Sequence, residues 1–330
     1  MPVPHHARVT ATPWPGVYAT QIESGRSFRK HWHATFGIGW LAQGAQVSAS
    51  GRGRVEAFAG DLITTNPGEV HDGQPLGGAS RRWQMLYFDT AAFASAACDP
   101  TRKTNAGLLA LHQPVVRDAR LSLAFRQVLA RLEGWSTSVD RGGPHVTDDT
   151  DDAATATGRH TALHAAAHAA AQRLACDEAL VTACTLLSAG QPSVREDPRR
   201  PASAAVAQVR SLLADDPLHP PSLAALAAMT GLSRYQLIRH FDGAYGITPH
   251  AWLLQRRTEL ARERIRHGDA LADAATAAGF ADQSHMTRLF TRQFGFTPGA
   301  WQQAMAPKAA LRAPLHQGRP VRLLRHNPTQ

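Results

Sequence analysis

The chain has 330 residues, with 35 Lys and Arg against 26 Asp and Glu, a formal net charge of +9. At roughly 100–200 residues per domain this length predicts two domains, and 43% hydrophobic content excludes wholesale disorder. The basic balance favours a polyanionic partner without specifying a fold.

Three scattered cysteines, Cys98, Cys176 and Cys184, argue against a disulfide framework. The N-terminus leads into no signal-like apolar run. The Ala-rich stretch Thr161–Ala189 is broken by His164, His168, Gln172, Arg173, Asp177 and Glu178, so no membrane span is expected and the protein is placed in the cytoplasm.

In chain order, residues 1–116 read as a β unit. Short apolar runs at Phe36–Leu41, Arg54–Phe58, Asp61–Thr65 and Trp83–Phe88 alternate with turn signals at Gly44, Gly51, Gly53, Gly60, Pro67-Gly68 and Gly77-Gly78, the spacing of a sandwich or barrel. Residues 117–192 read as a helical connecting region. Leu121, Phe125, Val128, Leu129 and Leu132 form one stripe, predicting a helix over Asp118–Glu133, and a second helix is expected over Thr161–Ala189. Between them, residues 134–158 lose periodicity and carry Asp148, Asp149, Asp151 and Asp152, which predicts a flexible insert. The charged, Pro-rich segment 193–201 reads as a linker.

Residues 202–305 are helical in pattern and contain an internal repeat. Ala227–Gly231 matches Ala275–Gly279, and Arg239/Arg288, Phe241/Phe290, Gly246/Gly295, Thr248/Thr297, Pro249/Pro298 and Trp252/Trp301 then pair at a constant offset. Each copy is a short Ala-rich helix, a glycine turn and a polar helix, the arrangement of a helix-turn-helix. In the first, Leu237 and Phe241 face inward, leaving Tyr235, Ile238 and Arg239 outward. In the second, Met286 and Phe290 face inward, leaving Gln283, Ser284, His285, Thr287 and Arg288. Arg can bond guanine edges and Gln adenine, while Ser and Thr suit phosphates or methyl groups. A connecting helix of about 28 Å approaches the ~34 Å repeat of DNA, so both units can address successive major grooves. Residues 306–330 add Lys308, Arg312, Arg319, Arg322 and Arg325 and no acid, reading as a flexible basic tail.

From about Val206 to Met305 the chain resembles the DNA-binding domain of AraC/XylS regulators, most specifically in Gly279–Phe290 and Gly295–Pro298. The resemblance implies base or backbone contacts from Tyr235, Ile238, Arg239, Gln283, Ser284, His285, Thr287 and Arg288. Upstream, Gly25-x5-His31-x-His33, followed by Gly44, Gly60-Asp61, Pro67-Gly68 and His71, resembles the two-motif pattern of the cupin β-barrel. The expected fold class is therefore α+β: a cupin-like barrel with a helical extension, then an all-α domain of two helix-turn-helix units.

Regulators of this family commonly carry such a barrel as an effector sensor. The implied partners are promoter DNA and a small-molecule effector, with room for RNA polymerase and for a second copy of the chain bound through the 117–192 helices. Trp32, Phe36, Trp40, Trp83 and Tyr87 can wall an apolar pocket, and the effector site is assigned to His31, His33, Trp40, His71 and Tyr87. In metal-binding cupins the histidine positions correspond to His31, His33 and His71, but the glutamate position is Gly37. Three imidazoles can still hold Zn, Fe or Ni, so these residues are the candidate ligands. With the carboxylate missing, no metal, cofactor or catalytic residue is assigned and no enzyme is expected. The expected function is ligand-responsive, sequence-specific promoter binding. The alternative is a cupin-type metal-dependent enzyme or metal sensor fused to a DNA-binding domain.

Overall fold

The structure, a computed structural model, describes residues 4–78, 80–97, 110–141, 154–190 and 202–306. The linker expected at 193–201 and all but the first residue of the 306–330 tail lie outside them, as does Cys98. The N-terminal strands are β1 (His5–Ala11), β2 (Val17–Ser24), β3 (Phe28–His31), β4 (Phe36–Gln43), β5 (Ala45–Ser50), β6 (Gly53–Phe58), β7 (Leu62–Thr65), β8 (His71–Pro75), β9 (Arg81–Phe88) and β10 (Val115–Val116). They form two sheets, β1-β2-β9-β4-β7-β10 and β3-β8-β5-β6, with antiparallel pairing. The expected single barrel is thus two facing sheets that do not close.

Alternation along β4 and β9 gives the larger sheet two different apolar faces. Phe36, Ile38, Leu86 and Phe88 point toward helices α1 (Thr90–Ala97), α2 (Ala119–Arg141) and α3 (Ala154–Gly190). Leu41, Trp83 and Met85 point the other way, between the sheets. Helix α2 presents Leu121, Phe125, Val128, Leu129 and Leu132, the stripe seen in the sequence, and packs against Leu180, Ala183, Cys184 and Leu187 of α3. Both helices exceed their expected lengths. Gly134–Arg141 and Ala154–Gly158 are helical, so the insert expected over 134–158 is shortened from both ends, and residues 142–153 lie outside the described residues. Packing of the α2–α3 pair extends a helix into sequence with weak intrinsic periodicity.

The C-terminal helices are α4 (Ala204–Asp215), α5 (Leu223–Thr230), α6 (Arg234–Tyr245), α7 (Pro249–Arg266), α8 (Leu271–Ala277), α9 (Gln283–Phe294) and α10 (Pro298–Met305). Local chemistry sets their ends. Ser222, Thr248, Asp282 and Thr297 each accept a bond from a first-turn N–H, and Ser233 and Gln236 form a capping box. Gly231 closes α5 with φ +66, and Gly279, with φ +78, lies at the equivalent turn of the second unit. A Cβ at Gly279 would sit 3.1 Å from Leu218 and from the Arg257 guanidinium, so both conformation and space call for glycine.

The two halves share cores. Val9 and Tyr18 of the sheets pack with Ala261 of α7 and with Phe290, Phe296 and Trp301 of the second helix-turn-helix. Trp32 and Val70 pack with Leu226, Leu237 and Phe241 of the first, and Trp32 stacks on Trp252 at 5.5 Å.

Candidate functional site

A cleft opens between the two sheets. His31 and His71 are cross-strand partners on β3 and β8, and His33 lies two residues beyond the end of β3, where its ring meets both of theirs. Their ring centroids lie 4.5–5.4 Å apart. His31 places Nδ1 2.6 Å from the Arg29 carbonyl and His71 places Nδ1 2.9 Å from the Glu69 carbonyl. A carbonyl only accepts, so each Nδ1 donates and each Nε2 keeps its lone pair. Burial lowers all three imidazoles, His31 to about 3, with His71 adding to the shift of His31. They are therefore neutral at pH 7.

An acid sensitivity follows. The unfolded chain takes up protons on these imidazoles below about pH 6.5, whereas folded His31 stays neutral down to about 3. Stability is full above about pH 6.5 and declines as pH falls toward 3. At pH 5.5 His31 alone should cost about 1.4 kcal/mol in chelator-treated protein. Urea midpoints at pH 7.5 and 5.5 measure this, and His31→Asn should flatten the decline. Equal declines in both proteins would contradict the assignment.

Other cleft walls are apolar or charged. Phe28, Trp83, Met85 and Tyr87 line it, and burial pushes the Tyr87 phenol upward. Arg81, 2% exposed, donates to Gln46 and to the Arg26 carbonyl and lies 4.7 Å over the Trp83 ring. Burial pulls its guanidinium down to about 10, so it remains charged, yet it forms no ion pair among the described residues. An anionic group on a bound molecule would complete it. Glu69 is not free to act as a base: burial alone would raise it, but Arg52, 2.7 Å away, holds it low.

The far wall comes from α9. Gln293 and Phe294 line the cleft, Phe294 stacks on His33 at 5.6 Å, and Gln293 donates to the Trp32 carbonyl at 3.0 Å. Sequence reasoning missed Arg81, Gln293 and Phe294. Arg81 opens a strand and carried no motif, and the other two gain a role only when α9 docks on the sheets.

His31, His33, His71 and Tyr87 thus meet in one cleft, but Trp40 does not. Trp40 packs with the cluster facing α2, where Arg126 lies 5.0 Å over its ring. Its pocket assignment is corrected: Trp40 shares strand parity with Phe36 and Ile38, so it points to the helix face of the sheet. Trp32 and Phe36 likewise belong to other cores.

The residues expected to touch DNA sit on α6 and α9. Tyr235 is 72% exposed, with Arg239 6.0 Å over its ring, while Ile238 is half-buried. On α9, Gln283, Ser284 and Arg288 are exposed and Thr287 is half-buried. His285 is half-buried and packs edge-on to Phe280 at 5.5 Å. Met286 and Phe290 fill the core beneath.

Residues 15–148 match a family model described as an AraC-like ligand binding domain, and residues 226–304 match one described as a helix-turn-helix domain. The transcriptional activator NphR of a Rhodococcus species is 40% identical over 86 residues, 26% of this chain and 25% of that protein. The regulator ExsA of Pseudomonas aeruginosa is 38% identical over 64 residues, 19% of this chain and 23% of that protein. The chain therefore spans about a quarter of the length of these curated relatives. Among solved structures, ToxT from Vibrio cholerae aligns over 92% of this chain and 98% of its own, with a TM-score of 0.45 and 10% identity. No helix among the described residues is long and apolar enough to cross a membrane.

Proposed function

We propose that this chain, a member of the AraC family by its ligand-binding and helix-turn-helix domains, is a transcriptional regulator whose promoter binding responds to a small molecule held in the cleft. The observation that carries this reading is the double use of α9. Its N-terminal half exposes Gln283, Ser284 and Arg288, and its last turn places Gln293 and Phe294 in the cleft wall. Twelve helical residues span about 18 Å, so a ligand that moves the Phe294 end displaces the reading end as a rigid body. Such a ligand shifts DNA affinity by as much as it distinguishes docked from displaced α9.

Aromatic walls with Arg81, which has no carboxylate partner among the described residues, suit a small effector with an apolar body and an anionic group. The role is binding rather than turnover: of the cleft carboxylates, Glu69 is engaged by Arg52 and Asp72 accepts from the Ala49 backbone N–H. Exposed Leu123 on α2 and Leu174 and Val181 on α3 support a homodimer through that hairpin. A promoter-binding role places the protein in the cytoplasm.

The test uses DNA selected by the protein from a random pool. Arg239→Ala and Arg288→Ala should each weaken binding by about 1–3 kcal/mol if they read guanine edges. If they hold phosphates, the loss should be uniform across sequences, with a shallower salt slope. Unchanged binding in both variants would overturn the recognition-helix assignment.

A further inference from the structure

The cupin resemblance implies a metal but lacks its carboxylate, and the structure supplies the reason. A Cβ at Gly37 would run into the Thr65 hydroxyl, so an acidic side chain there would require Thr65 to move aside. The donor atoms that remain are well placed. One ligand atom from each of His31, His33 and His71 lies within 4.8 Å of the others. Backbone carbonyls orient His31 and His71 so that each presents an Nε2 lone pair, the outer-shell arrangement that ligating histidines use. Around them, His33 Nδ1, Thr65 Oγ1 and Gln293 Oε1 are buried without a hydrogen-bond partner among the described residues, and all three residues line the cleft. Buried polar atoms of this kind are ordinarily satisfied.

We propose that His31, His33 and His71 hold a divalent transition-metal ion of the zinc, cobalt or nickel type, in a cleft closed on one side by the second recognition helix. This rests on the regulator reading for its biological meaning and on the donor geometry for its chemistry. Three neutral imidazoles suit borderline cations and leave the ion its full positive charge and at least one open position. An anionic effector can take that position. Gln293 and Phe294 bring α9 to the same cleft, so loading the ion changes the surface on which the reader rests.

Cobalt(II) is the probe, titrated into the full chain after chelator treatment and desalting. One equivalent should saturate a visible d–d absorption band, and zinc should displace it stoichiometrically. His33→Ala and His71→Ala should each weaken binding by at least about 100-fold, beyond the 10–100-fold cost of losing an outer-shell partner. Thermal unfolding of the unsubstituted chain is followed in parallel, because an alanine variant can fail to fold. Its midpoint should rise with zinc and return with EDTA. Absence of a saturable one-equivalent site in the unsubstituted chain, or wild-type affinity in both folded variants, would overturn the proposal. Protein that ignores both metals yet binds its selected DNA would leave the regulator reading standing. Protein that binds the metal but no DNA would do the reverse.

Discussion

Replacing Glu259 with alanine is expected to destabilise the protein by about 3–5 kcal/mol, the usual cost of leaving a buried charge unpaired. Glu259 is 3% exposed and Arg262 7%. One carboxylate oxygen accepts from Arg262 Nε at 2.9 Å, and the other accepts from the Ala34 backbone N–H at 3.0 Å. Burial alone would lower the Arg262 guanidinium, but Glu259 holds it above its ordinary value. Arg262 also lies 5.3–5.5 Å over the rings of Tyr18, Phe294 and Trp301, which cover most of its guanidinium. Urea unfolding of Glu259→Ala should show the loss, and Glu259→Ala with Arg262→Met should recover much of it. A loss below about 1 kcal/mol would mean that water reaches Arg262 when its partner is gone. The bond to Ala34 ties α7 to the segment after β3, so the variant should also uncouple cleft and reader: ligands that shift DNA affinity in the parent should shift it less.

Trp301→Ala should cost a comparable 3–5 kcal/mol, the range for emptying a large aromatic site. Trp301 is 1% exposed, meets Tyr18 edge-on at 4.8 Å, stacks near Phe296 and donates from Nε1 to the Arg262 carbonyl at 2.9 Å. Its removal opens a cavity between β2 and the second helix-turn-helix and takes away the indole's hydrogen bond to the Arg262 carbonyl. Trp301→Phe keeps most of the apolar volume and should cost clearly less. The denaturation midpoints of the two variants check the order. Near-equal values would show that the carbonyl bond, which both variants lose, outweighs the packing.

Trp301 and its counterpart Trp252 also show how the sequence carried the helix-turn-helix repeat. Both stand at equivalent repeat positions, and both are buried. Within the repeat nearly every determinant is local: caps at Ser222, Ser233 and Thr248, a glycine turn at Gly231, and a 3.6-residue period that buries Leu237 and Phe241. Interactions that close within a few residues leave their pattern in the chain. The charge was less informative. Five of the nine net positive charges belong to residues 307–330, outside the described structure, and residues 202–305 hold 10 basic and 8 acidic residues.

The N-terminal half was legible only in outline. Four apolar runs marked β4, β6, β7 and β9, but β1, β2, β3, β5 and β8 are too polar or too short to stand out. They are strands because a neighbour pairs with them, as β2 does with β9 along eight residues. A one-residue difference in parity decided that Trp83 and Tyr87 reach the cleft and Trp40 does not, and sequence patterning leaves parity open when both faces of a sheet are apolar.

By itself, then, the sequence determined the duplicated helix-turn-helix, the inward-facing residues of its second helices and the three histidines that converge in the cleft. Only the tertiary structure decided that the last turn of α9 lines the cleft, that Arg81 enters the cleft with no counter-ion among the described residues, and that the Thr65 hydroxyl lies against Gly37. Each of these depends on contacts between segments far apart in the chain. Gln293 and Trp32 are 261 positions apart, and no short-range period or motif encodes such a pairing.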